Sequence, residues 1–233
     1  MTSKSPEVRA RAVQHMFNRI APRYDLMNRL MTFGMDVRLR KIVIRKTALP
    51  FSGSLLDLAT GTGDLAKEAH HQFPGTKIIA ADFSINMMQA GQKLPGKRLD
   101  FTAAEALNIP FTDETFDAVV SGFLLRNVVD LNIALKEQWR VLKQGGIFVS
   151  LDTTQPPRNL LSPFIHFYTH HIIPFLGQIL SGDREAYVYL PTSTDHFLSA
   201  EELKSQLAEN GFKDIGFNKH MFGTVAIHWA RKI

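Results

Sequence analysis

Leu55–Asp64 reads LLDLATGTGD, and this stretch decides the fold. An apolar run of strand length enters a turn holding Gly61 and Gly63, and a helical pattern follows. Glycine at such a turn lets the backbone approach a ligand closely. With Ala66 the loop also satisfies the G-x-G-x-x-A spacing, so the glycines alone leave a dinucleotide-binding dehydrogenase open.

Outward from the loop, short apolar runs alternate with helical stretches. Strands are predicted at Ser54–Leu58, Lys77–Ala81, Leu99–Ala103, Phe116–Ser121 and Gly146–Leu151. Beyond a helix after Ala200, two more are predicted at Ile215–Asn218 and Val225–Trp229, too close together for a helical crossover. The pattern implies an α/β, Rossmann-like fold: a mainly parallel seven-stranded sheet, one antiparallel strand near the C-terminus, and helices on both faces. Upstream, Val13, Phe17 and Ile20 are spaced for one helix face, and a second helix is predicted over Met27–Lys46. Met27, Met31 and Met35 would then share a face, as core or as an adaptable lipid pocket.

Charge separates the two ligand classes. A diphosphate favours an uncluttered helix N-terminus, whereas Asp64 places a carboxylate there, although an acid in a helix's first turn also has a plain capping role. Asp57 lies at the first strand end, Asp82 closes the second and Glu105 follows the third, so four acids are expected along one sheet edge. Carboxyl ends of successive strands in a doubly wound sheet share a crevice. A cationic sulfonium carrying an amino acid and a nucleoside, the constitution of S-adenosylmethionine, fits such an edge. Asp82 is assigned to the ribose hydroxyls, Asp57 to support of the methionine ammonium, Glu105 with Ala106 to the adenine border, and Gly61 and Gly63 to the close backbone approach. None of Tyr24, Tyr168, Tyr187 and Tyr189 has a Lys four residues later, which argues against a short-chain dehydrogenase.

Composition narrows the rest. A chain of 233 residues, 45% of them hydrophobic, suits one domain spanning 1–233. The absence of cysteine removes disulfides, thiolate metal sites and a cysteine nucleophile. His166 and His170 share a face without an evident third ligand, so no metal is expected. The polar N-terminus does not resemble a secretory signal, and Leu160–Leu180 holds no unbroken apolar run of spanning length. A cytoplasmic location, at most peripheral to the inner face of the membrane, is expected. The net charge of +5 suits an anionic surface, and Arg38, Lys41 and Arg45 follow helical spacing, as either a lipid-facing or a solvated basic face. No nucleic-acid-binding module is recognisable.

The chain resembles the UbiE/MenG family of quinone C-methyltransferases from about Phe17 to its C-terminus. FNRIAPRYDLMNRLMTFG (Phe17–Gly34) and FLLRNVVD (Phe123–Asp130) look like the two family signatures. RVLKQGG (Arg140–Gly146), Tyr168 with Pro174 and Gly177, Tyr187–Leu190 with Ser193, and Gly223–His228 match in order and spacing. The resemblance implies a class I methyltransferase using S-adenosylmethionine. It maps Thr62, Asp82, Glu105 and Ala106 onto cofactor contacts, and Arg126 with Asn127 onto the substrate site. The implied reaction is methylation of a lipophilic quinol, demethylmenaquinol first, with the benzoquinol precursor of ubiquinone or another aromatic acceptor as alternatives. Arg126 would stabilise oxyanion charge and Asn127 orient the ring, the bland alternative being an exposed loop Arg126 paired with Asp130. Tyr24 and Asp25 in residues 1–50 would either close the site or serve only as packing and a helix cap, residues 158–198 would form a lid or tail channel, and a homodimer is left open. The chain departs from the family pattern at Thr32, Asp36, Leu39, Gly122, Gln144 and Leu198. Asp36 and Leu39, where His and an aromatic are usual, fall in the segment expected near the substrate entrance.

Overall fold

The computed structural model describes residues 6–93, 99–155 and 160–233. A seven-stranded sheet is formed by β1 (Ser54–Leu58), β2 (Lys77–Asp82), β3 (Asp100–Ala103), β4 (Phe116–Gly122), β5 (Leu142–Thr153), β6 (Lys213–His220) and β7 (Val225–Arg231), in the order β3-β2-β1-β4-β5-β7-β6. All pairings among β1 to β5 are parallel, and β7 runs antiparallel to both β5 and β6, as the short β6–β7 connection requires. Six strands run one way and β7 is reversed. The β5 strand starts at Leu142, earlier than Gly146, because Leu142 pairs with Phe116 across an irregularity in the β4–β5 register.

Side chains alternate across the sheet, so neighbouring positions feed opposite cores. Leu55, Val120 and Val149 pack with Val43 and Ile44 of α3 (Met35–Thr47) and Leu65 and Ala69 of α4 (Asp64–Gln72). Leu56, Val119 and Phe148 face the other way, against Leu135 of α6 (Leu131–Val141) and Leu203 and Leu207 of α10 (Ala200–Glu209). Ser199 and Glu202 form a capping box that starts α10.

A third cluster stands apart from the sheet. Met16 and Ile20 of α1 (Pro6–Ile20) and Met27 of α2 (Tyr24–Met31) pack with Ala186 and Tyr187 of α9 (Arg184–Asp195). Between β5 and α9 lie α7 (Ser162–Phe167), a π-turn (Tyr168–Ile172) and α8 (Ile173–Ser181). Gly177 of α8 meets Tyr187 so closely that an added Cβ would lie 2.3 Å from the ring. Residues 158 and 159 of the expected lid lie outside the described residues.

The expected single helix over Met27–Lys46 is two helices. Phe33 (φ +52°) and Gly34 (φ +75°) turn the chain between α2 and α3, and the Thr32 hydroxyl accepts the Asp36 amide at 3.2 Å. The methionine face is broken with it: Met27 is buried, Met31 packs on the third cluster, and Met35 opens α3 at 37% exposure.

Candidate active site

Strand order reverses between β1 and β4, and at such a switch point the connections diverge and leave a crevice. A cavity of about 830 Å³, counted with its open mouth, lies there. The residues leaving both strands are strained: Ala59 after β1 and Phe123 after β4 have φ of +57° and +60°, and both line the cavity. Non-glycine residues held in this region mark positions that the surroundings over-determine.

The glycine loop makes one wall. Gly63 has φ +87° and packs against Leu99, where a Cβ would come within 2.3 Å of a methyl carbon. The N-terminal helices hold the loop from above. Thr62 donates its hydroxyl to Asp25 of α2 at 2.7 Å, and Tyr24 lines the cavity. Gln14 of α1 donates to the Phe83 carbonyl, and Ser84 donates to Asn18, both at 2.6 Å. Burial, reinforced by neighbouring Asp64, raises the Asp25 carboxyl above its ordinary range.

Asp82 ends β2 and lines the cavity. Its two oxygens accept the Gly61 and Ser84 amides, each at 2.7 Å, so the carboxylate fixes the glycine loop and the following turn. Burial raises its pKa and the backbone amides oppose the rise. Glu105 and Ala106 line the cavity near the end of β3. Asp57 lies beneath the loop, fully buried, accepting from the Thr60 hydroxyl at 2.5 Å and the Ala66 amide at 3.0 Å on one oxygen. Its other oxygen has no partner among the described residues, and burial pushes the carboxyl up to about 7.

On the β4 side, Asn127 lines the cavity while Arg126 turns back to Asp152 near the end of β5, at 2.5 Å. The Asn127 carboxamide donates to the Phe123 carbonyl at 2.7 Å and accepts from the Tyr189 hydroxyl of α9 at 3.1 Å. The exposed-loop alternative for Arg126 is corrected: the residue is 8% exposed and its partner is Asp152, while Asp130 caps α6 by accepting the Ile133 amide. The Arg126 Nε is buried with no partner among the described residues.

Of the nine predicted site residues, Gly61, Asp82, Glu105, Ala106 and Asn127 line one cavity. Asp57, Thr62, Gly63 and Arg126 support it from outside the lining. The fourth acid departs from expectation: Asp64 pairs with Arg29 at 3.1 Å and Arg40 at 3.5 Å, because two guanidinium groups from α2 and α3 flank the start of α4. Asp36 is buried in the same network, paired with Arg29 and Arg40 and hydrogen-bonded to Thr32. Leu39 is in the sheet-facing core, so neither of these departures from the family pattern lines the cavity.

Asp152 and Tyr189 were missed. Asp152 was open to the rule that found Asp57 and Asp82, an acid near a strand's carboxyl end. Tyr189 reaches the site only through the folding-back of α9. The His166 and His170 rings stack 4.1 Å apart, and His170 Nε2 lies 3.2 Å from the Asp195 carboxylate.

The donor set fits the expected cofactor. Carboxylates at one end suit hydroxyl and ammonium groups, apolar walls such as Leu58, Met87 and Leu107 suit a nucleoside, and one Asp57 oxygen beneath the loop has no hydrogen-bond partner among the described residues.

Comparison with known proteins agrees. The profile of the ubiE/COQ5 methyltransferase family matches residues 3–232. A protein of Desulfotalea psychrophila named ubiquinone/menaquinone biosynthesis C-methyltransferase UbiE is 46% identical over 221 residues, covering 94% of this chain and 90% of its own. A demethylmenaquinone methyltransferase of Thermus thermophilus is 40% identical over 216 residues, covering 91% and 98%. A solved SAM-dependent methyltransferase from Thermotoga maritima superposes with a TM-score of 0.68 at 18% identity, covering 94% of this chain and 99% of that one, and shares the fold. The chain belongs to the ubiE/COQ5 methyltransferase family.

Proposed function

We propose that the protein transfers the methyl group of S-adenosylmethionine to a ring carbon of a polyprenyl quinol, with demethylmenaquinol as its acceptor. The observation that carries the reading is the β1–β4 cavity, with Asp82 and Glu105 in its lining and Asn127 beside the Arg126–Asp152 pair. When bound, the cofactor supplies an electrophilic methyl group. The protein's own work is positioning, which in favourable intramolecular cases is worth roughly 7–11 kcal/mol.

In this reading Asp82 accepts the ribose hydroxyls, Glu105 and Ala106 border the base, and Gly61 permits close approach of the backbone. Asp57, Thr62 and Gly63 hold the loop's shape, and the buried Asp57 carboxyl supports the amino group's subsite from beneath the loop. Arg126 supplies positive charge to an ionised quinol oxygen, with Asp152 fixing its orientation. Asn127 orients the ring. Residues 1–233 act as one unit, in which the N-terminal helices close the cofactor side and α7–α9 cover the acceptor.

The acceptor's lipid tail calls for contact with a bilayer. From Leu160 to Gly182 there is no Asp, Glu, Lys or Arg, and Phe164, Phe167, Phe175 and Ile179 are exposed. Such a surface suits the headgroup boundary. No helix among the described residues is long and apolar enough to cross a membrane.

The test is transfer from labelled S-adenosylmethionine to reduced demethylmenaquinol and to the demethylated ubiquinol precursor, side by side, with product masses. Methylated naphthoquinol supports the proposal. Methylation of the benzoquinol alone moves the acceptor to the ubiquinone precursor, and cofactor binding without transfer to either rejects a quinol acceptor.

A further inference from the structure

Asn127 reaches the cavity through a carboxamide whose orientation is set by its neighbours. The Phe123 carbonyl can only accept, so the group 2.7 Å from it is the Asn127 NH₂. The Asn127 oxygen therefore points at Tyr189, and because that oxygen can only accept, the Tyr189 hydroxyl must donate. The same helix makes a second bond to the strand ends: Thr194 donates to the Thr153 hydroxyl at 2.9 Å, and the Thr153 amide donates to Asp152, the partner of Arg126, at 2.8 Å. Helix α9 thus touches the support of both members of the Arg126–Asn127 pair. No residue of α9 lines the cavity itself.

We infer that Tyr189 is a positioning residue: its hydroxyl locks the Asn127 carboxamide in the orientation the acceptor meets, and so ties the placement of α9 to alignment of the acceptor ring. Three observations support it. The Tyr189 ring is partly buried and packs on the cluster of Met16, Ile20, Met27, Ala186 and Tyr187, which fixes where its hydroxyl reaches. Burial raises the phenol's pKa, so it stays protonated and a donor through the neutral range. Asn127 sits just beyond strained Phe123, to which it is tied, so rotation of the carboxamide would loosen the turn as well.

The inference rests on the proposed methyl transfer, and its test separates the two. Tyr189→Phe removes only the hydroxyl, and is compared with Asn127→Ala and the double variant in the full-length protein. Turnover on reduced demethylmenaquinol is measured together with S-adenosylmethionine affinity, and the Asn127 side-chain amide resonances are followed by NMR. The expected result is a kcat about tenfold lower in Tyr189→Phe, unchanged cofactor affinity, less than a twofold further loss when the change is made in Asn127→Ala, and displaced Asn127 amide resonances. Wild-type kcat in Tyr189→Phe, or the same tenfold loss in the Asn127→Ala background, overturns the inference, because the two side chains then act independently. If the wild type methylates no quinol, the proposed acceptor fails by itself. The amide resonances then decide the Tyr189–Asn127 coupling: displacement in Tyr189→Phe upholds it and unchanged resonances refute it.

Discussion

Asp57→Asn should change how stability depends on pH, by an amount that follows from the burial of Asp57. Burial pushes the folded carboxyl up to about 7 from its ordinary value of 3.8, and one of its oxygens has no hydrogen-bond partner among the described residues. Between these values the folded protein holds a proton that the unfolded chain has lost, so the slope of unfolding free energy with pH is negative. The stabilising contribution is therefore fully present below the unfolded value and is lost as pH rises through the folded one. The total is on the order of 4 kcal/mol, of which roughly 3 falls between pH 5 and pH 8. Asparagine keeps an acceptor for Thr60 and Ala66 and cannot titrate. Any cost of placing its NH₂ at the unpartnered oxygen, roughly 1–3 kcal/mol, is the same at every pH. Urea unfolding of the cofactor-free wild type and variant across this range should show the variant gaining on the wild type by roughly 3 kcal/mol as pH rises. A difference that stays constant with pH would refute the assignment of a raised pKa to Asp57.

Other outcomes follow from the same geometry. Asp82→Asn replaces an oxygen that accepts a backbone amide with a donor, so S-adenosylmethionine affinity by calorimetry should fall at least about tenfold, roughly 1.4 kcal/mol. Arg126→Ala leaves buried Asp152 unpaired, so stability should fall by about 3–5 kcal/mol along with turnover. Arg126→Lys should restore most of the stability and little of the turnover, since one ammonium does not reproduce the guanidinium's donors; equal recovery of both would make the role purely structural. Cosedimentation with anionic vesicles should persist at high salt if α7 and α8 make the contact, and should disappear if Arg38, Lys41 and Arg45 make it.

The sheet was readable because its strands are short apolar runs separated by helical patterns, and β1 appears with the predicted bounds. The cofactor side was readable for a related reason: parallel pairing brings the carboxyl ends of β1, β2 and β3 to one edge, so Asp82 and Glu105 converge by topology alone. Position along a strand does not say which way a carboxylate is drawn. Asp64 was placed with the others until Arg29 and Arg40, more than twenty residues upstream, proved to hold it. The break between α2 and α3 was hidden because Phe33, not a glycine alone, takes up positive φ there. The supports of the acceptor side, Asp152 and Tyr189, depend on contacts spanning 26 and 62 residues, which periodicity does not register.

The central claim is carbon methylation of a quinol ring, and the position of the transferred methyl group tests it most directly. The protein is incubated with S-adenosylmethionine carrying an isotope-labelled methyl group and with reduced demethylmenaquinol, and the product is analysed by NMR. The account predicts the label as a methyl group on the ring carbon, with both ring oxygens unmodified. Label appearing as a methoxy group, or remaining wholly in the cofactor, would contradict it.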